Sequence, residues 1–115
     1  MDQLADVDID ASGKFKYILI KVTDKATNKE KLIVRGFERC PFHGDILDEV
    51  QPSIEAANCK ADCLGGGRIE HRPTKHSLTI YGYSQGYGKA DHSKSADILR
   101  KAYPDYNVTW TNDGY

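Results

Sequence analysis

His43 stands where an imidazole can meet an anion. An apolar run, Leu32-Ile33-Val34, reads as a strand that ends at Arg35-Gly36, and a helical pattern begins after a short loop, around Pro41. Proline is favoured at a first helical position. The ring therefore falls in a first turn, where unpaired N–H groups and the positive end of the helix dipole suit an anion and Arg35 adds charge. An imidazole titrates near neutrality, so general-base or nucleophilic chemistry is open to it. The plainer alternative is a solvated first-turn residue. The stretch 81–88, YGYSQGYG, is the second candidate. Its glycines free the backbone to turn several N–H groups one way, and Ser84 and Gln85 add side-chain donors, which would cradle a phosphoryl group; a flexible strand exit is the alternative. Lys16, at the open end of a buried strand face, either reaches an anion at the rim of the sheet or lays its stem over apolar surface with its head in water.

Composition restricts the partners. The 115 residues make one ordinary domain, 1–115, with 1–5 expected as a flexible tail. The balance of 16 basic and 17 acidic side chains creates no global field toward nucleic acid or an anionic membrane, so any anion site must be local. Stacking of single-stranded RNA on Tyr81, Tyr83 and Trp110 would need a basic stripe that the sequence lacks. No segment approaches the roughly 20 apolar residues of a membrane span. Cys40, Cys59 and Cys63 are an odd count with no signal-peptide pattern, which reads as free thiols in the cytoplasm. A zinc site from Cys59, Cys63, His71 and His76 is disfavoured by the short spacing and the three glycines between, so no metal is expected. No exposed apolar stripe asks for a partner, and a monomer is expected.

The elements that must position these residues follow from periodicity. Residues 7–10 alternate and precede a turn; 15–22 form a strand apolar on both faces, as in the middle of a sheet. Residues 23–31 are an exposed loop and 32–37 the next strand. Ile46, Leu47, Val50, Ile54 and Ala57 recur at helical spacing, with a kink or break expected near Gln51 because Pro52 interrupts them. Residues 59–83 read as sheet. Gly65-Gly66-Gly67 lack the Gly-Lys-Ser/Thr ending of a Walker loop and mark a bulge or bend where another backbone passes close. A second helix, capped by Ser93 or Ser95, would bury Ala96, Leu99, Ala102 and Tyr103 and stop at Pro104; Tyr106, Val108 and Trp110 then form a half-buried strand.

The strings DVDI, GKFKYILIKV, IVRGF, FHGDI, CLGGGRIEH, YGYSQGYG and AYPDYNVTWTNDGY together resemble the protein histidine phosphatase (janus) family over nearly the whole chain. The resemblance implies a small α/β (α+β) domain with a mixed, mainly antiparallel sheet flanked by two helices. It implies a phosphatase that needs no metal or cofactor and acts on phosphohistidine in proteins, with phospholysine and the ring isomer left open. His43 takes the catalytic role by the same resemblance. The resemblance likewise implies phosphate contacts from Lys16 and the loop residues Ser84, Gln85 and Gly86, with Arg35 and Arg68 as looser candidates. Gly86 stands where alanine is usual, and Ala61 where some relatives carry cysteine. His71 and His92 either orient the site or serve the fold. A phosphate-recognition module without hydrolysis is the alternative function for the same cleft.

Overall fold

Strand β2 (Gly13–Asp24) is the spine, and its sequence explains why. Phe15, Tyr17 and Leu19 are buried on one side and Ile18, Ile20 and Val22 on the other, so both faces must be covered. The computed structural model describes residues 1–114; Tyr115, the last residue of the NDGY ending, lies outside the described residues. β2 pairs antiparallel with β3 (Glu30–Gly36) and with the 14-residue β4 (Cys59–Arg72). β5 (Ser77–Tyr81) follows antiparallel on β4, while β1 (Val7–Ile9) and β6 (Asn107–Trp110) close the two edges in parallel, giving the order β1-β3-β2-β4-β5-β6. Helix α1 (His43–Ala56) packs Ile46, Val50 and Ile54 on the Ile18 face. Helix α2 (His92–Ala102) packs Ala96 and Leu99 on the Tyr17 face. The result is a single α+β domain with a mixed sheet between two helices, as expected. Among the described residues no helix is long and apolar enough to cross a membrane.

Several local expectations are corrected. α1 starts at His43 rather than Pro41 and runs through Pro52 without a break. A proline there costs about 3 kcal/mol, but burying Ile46, Val50 and Ile54 contributes about 1.5–3 kcal/mol each, so packing keeps the helix continuous. α2 starts a turn earlier than a Ser95 cap would allow, because Asp91 is the cap and accepts the Ser93 N–H at 3.1 Å. His92 and Ser95 thereby join its buried face, and Ala102 is exposed. The exposed loop expected over 23–31 narrows to 25–29, since β2 runs to Asp24 and β3 starts at Glu30, and its turn is held where Asp24 accepts the Ala26 and Thr27 N–H groups. Trp110 is exposed rather than half-buried. Of residues 1–5, expected as a tail, Leu4 inserts into the α1-side core.

Arg35 accounts for that anchoring. Its guanidinium donates to the Val34 and Ala5 carbonyls at 3.0 and 2.8 Å, tying the start of the chain to β3. The adjacent Gly36 is required by close approach, since a Cβ there would lie 2.9 Å from the Lys16 carbonyl of β2.

Candidate active site

The β4 glycines bring the two candidate stretches together. Leu64 is the extra residue of a bulge between the Leu19–Gly65 and Ile20–Cys63 pairs. Beyond it the loop after β5 returns along the free edge of β4: the Gly66 N–H donates to the Gly88 carbonyl and the Ala90 N–H to the Gly66 carbonyl, both at 3.0 Å. A Cβ on Gly65 would lie 2.7 Å from the Ala90 nitrogen, so only glycine admits this second backbone. The sequence reading of the triplet as a bulge under a passing backbone is met in both respects.

The same glycines seat His43. Its ring, 7% exposed, lies over Gly66, where a Cβ would come within 2.7 Å of Cδ2. Nε2 is 2.9 Å from the Gly67 carbonyl oxygen. A carbonyl can only accept, so Nε2 carries the proton and Nδ1 keeps its lone pair in the neutral ring. Burial lowers the pKa of His43; the Gly67 hydrogen bond opposes this, and the positive charges of Lys16 and Arg68 lower it further. The imidazole is therefore held uncharged at neutral pH.

His43, Lys16, Ser84, Gln85 and Gly86 line one pocket of about 560 Å³, with Pro41, Phe42, Gly44 and Tyr87 completing it. Arg68 faces Lys16 across the β2–β4 pair, on the α1 side of the sheet. Arg35 is not among the residues at this pocket; its place on β3 puts it against the N-terminal segment. Within the loop, Ser84 and Gly88 exchange both backbone hydrogen bonds, and the Ser84 hydroxyl oxygen accepts the Tyr87 N–H at 3.2 Å. Ser84 thus shapes the turn with its own amide already engaged. Among the described residues the N–H groups of Gln85 and Gly86 take no intramolecular partner, so they are the main-chain donors this loop can offer an anion.

The other histidines sit on the opposite face. His92 Nε2 donates to the Gly82 carbonyl at 2.8 Å, so Nδ1 accepts the Tyr17 hydroxyl at 2.6 Å; Ser95 Oγ lies 3.0 Å from the same hydroxyl. This network fixes Gly82, two residues before Ser84, and its ring presses on Gly67, where a Cβ would meet Cε1 at 2.7 Å. His71 joins the Asp10 carbonyl and the Tyr106 hydroxyl, at 2.8 and 3.1 Å. Among the described residues no three His, Cys, Asp or Glu side chains converge to hold a metal, so the Cys59, Cys63, His71 and His76 pattern does not assemble. Replacing Tyr17 with phenylalanine leaves the buried His92 Nδ1 without its donor and is expected to cost about 1–3 kcal/mol, measured as a lower urea midpoint.

Sequence reasoning missed the pocket walls Phe42 and Tyr87 and the carbonyl of Gly67. Both aromatic residues lie within motifs already singled out, which is a usable signal. A backbone carbonyl leaves none.

The sequence model of the Janus/Ocnus family (Ocnus) matches residues 1–107. The chain is 44% identical to the 14 kDa phosphohistidine phosphatase of Sus scrofa, over 98% of this chain and 94% of the relative. It is equally similar to the protein of that name from Homo sapiens, at 44% over 97% and 94%. To the sex-regulated protein janus-A of Drosophila pseudoobscura pseudoobscura it is 48% identical, over 95% of this chain and 76% of the relative.

Proposed function

The chain belongs to the Janus/Ocnus family, and from that premise we propose that it is a protein histidine phosphatase, hydrolysing the phosphorus–nitrogen bond of phosphohistidine in proteins without a metal ion. The observation that carries this reading is the pairing of His43 Nε2 with the Gly67 carbonyl, beside Lys16 and the Gln85 and Gly86 amides. It leaves Nδ1 as the basic nitrogen available to a molecule in the pocket. The free cysteines Cys40, Cys59 and Cys63 support a reducing compartment, and we assign the protein to the cytoplasm as a monomer.

Phosphoryl transfer passes through a loose transition state with charge spread over the phosphoryl oxygens, so catalysis is mostly positioning and electrostatics. Lys16, Arg68 and the two amides supply positive charge and donors. His43 Nδ1 takes a proton from the attacking water while its oxygen bonds to phosphorus. The substrate ring first takes a proton from solvent at its unphosphorylated nitrogen; the P–N bond then breaks with its electron pair going to that ring, which leaves as neutral imidazole. A protonated imidazole is already a good leaving group, so no Lewis acid is required. Inorganic phosphate released from a phosphohistidine peptide in the presence of a chelator, with none from a phosphoserine peptide, is the expected result; inertness toward both would refute the assignment.

The lowered pKa of His43 dictates a pH profile. kcat/KM should be flat from neutrality downward and fall only below the ordinary histidine value of 6.5, because the base stays unprotonated until then. Stability follows the same sign. His43 and His92 are both held below 6.5 by burial, so the unfolded chain binds protons first as pH falls. Their contribution is complete above 6.5 and is lost progressively below it, before the carboxylates titrate. Denaturation midpoints measured between pH 8 and 5 check this.

A further inference from the structure

We propose that Phe42 and Tyr87 form a seat for the leaving imidazole of the substrate, so that the pocket selects a phosphorylated ring over a bare phosphoramidate. This rests on the phosphatase reading and names what that reading does not: how the non-phosphoryl part of the substrate is held.

The pocket is graded from buried polar groups to exposed rings. His43 and Ser84 are buried within it, whereas Phe42 is 69% exposed and Tyr87 36%. Both residues have their backbones tied down beside the buried polar groups. Phe42 is the N-cap of α1 in extended geometry, with its N–H held by Asp45 Oδ2 at 3.0 Å. Tyr87 is tied through its N–H to Ser84 Oγ, and its hydroxyl lies 3.8 Å from where a Cβ on Gly44 would sit, so the side chain spans from the loop to the first turn of α1. Neither ring offers the phosphoryl group a charge. What they offer is flat apolar surface with electron-rich faces, which suits a planar ring that is cationic once protonated for departure. Bonding to the phosphoryl group alone cannot distinguish phosphohistidine from a small phosphoramidate; contact with the ring can.

The test compares kcat/KM for a phosphohistidine peptide with kcat/KM for phosphoramidate, which has the P–N bond and no ring. In Phe42→Ala and Tyr87→Ala the ratio of the two should fall about tenfold, mainly through KM on the peptide, as expected for loss of one aromatic contact. Phe42→Tyr and Tyr87→Phe keep the rings and should keep the ratio. An unchanged ratio in the Phe42→Ala/Tyr87→Ala double variant, with inorganic phosphate still bound, overturns the proposal. An equal fall in the ring-preserving variants overturns it too. A parent chain that cleaves neither compound would instead bring down the phosphatase reading, and this inference with it.

Discussion

His43→Ala is expected to slow phosphate release from a phosphohistidine peptide by about 10²–10⁴-fold, the span ordinarily lost with a positioned general base, while inorganic phosphate still binds. The second half follows from the division of labour in the pocket. Lys16 and the Gln85 and Gly86 amides lie outside the substituted side chain, and the loop is held by Gly66, Gly88 and Ala90 backbone groups that do not depend on the imidazole. The ring is uncharged at neutral pH, so its removal takes no positive charge from the anion site and phosphate affinity is retained there. Single-turnover phosphate release and calorimetric phosphate titration measure the two halves separately. Turnover surviving in the variant would show that Nδ1 is not the base. Phosphate trapped on His43 in a rapid-quench experiment, formed fast enough to lie on the pathway, would reassign the ring from base to nucleophile.

Gly66→Ala should cost nearly as much without touching any reacting atom. The new Cβ would lie 2.7 Å from both His43 Cδ2 and the Tyr17 carbonyl. The carbonyl belongs to the central strand and is fixed by both neighbouring strands, so the ring is what moves. A shift of about 1 Å breaks the Nε2 bond to Gly67 and misplaces Nδ1, and misplacement on that scale costs about 100-fold in rate. The overpacking should also lower stability by about 1–3 kcal/mol. Activity and urea denaturation on the same preparation separate the two effects, because a rate loss from partial unfolding would recover as stabilising osmolyte is added and a displaced ring would not. A variant as active as the parent would remove Gly66 from the account of the site.

Much of this site was legible because it is local. The N-terminal position of His43 follows from the strand, loop and helix pattern around it, and the two apolar faces of β2 place that strand in the middle of the sheet with Lys16 at its rim. Pro52 does not break the helix, the stronger of its two expected effects, because local propensity ignores what the helix face buries. The α2 cap was misplaced by one candidate because Asp91, Ser93 and Ser95 are all good caps, and only the backbone chooses among them. Arg35 was assigned to the anion site from its nearness to His43 in sequence, whereas its guanidinium is spent on the Val34 and Ala5 carbonyls.

From its own residues the chain determined most of the strands, the existence and apolar faces of the helices, the chemical types at the pocket and the need for glycine at 65 to 67. These depend on periodicity, on capping and on backbone sterics, which act over a few residues. Only the tertiary structure decided that the 84–88 turn docks along β4 beside His43, that the Gly67 carbonyl holds Nε2, and that Tyr17 and His92 brace the far side of the same glycine. Those contacts join segments tens of residues apart, and all but the Tyr17–His92 pair end on main-chain atoms that every residue shares, so no local side-chain pattern encodes them.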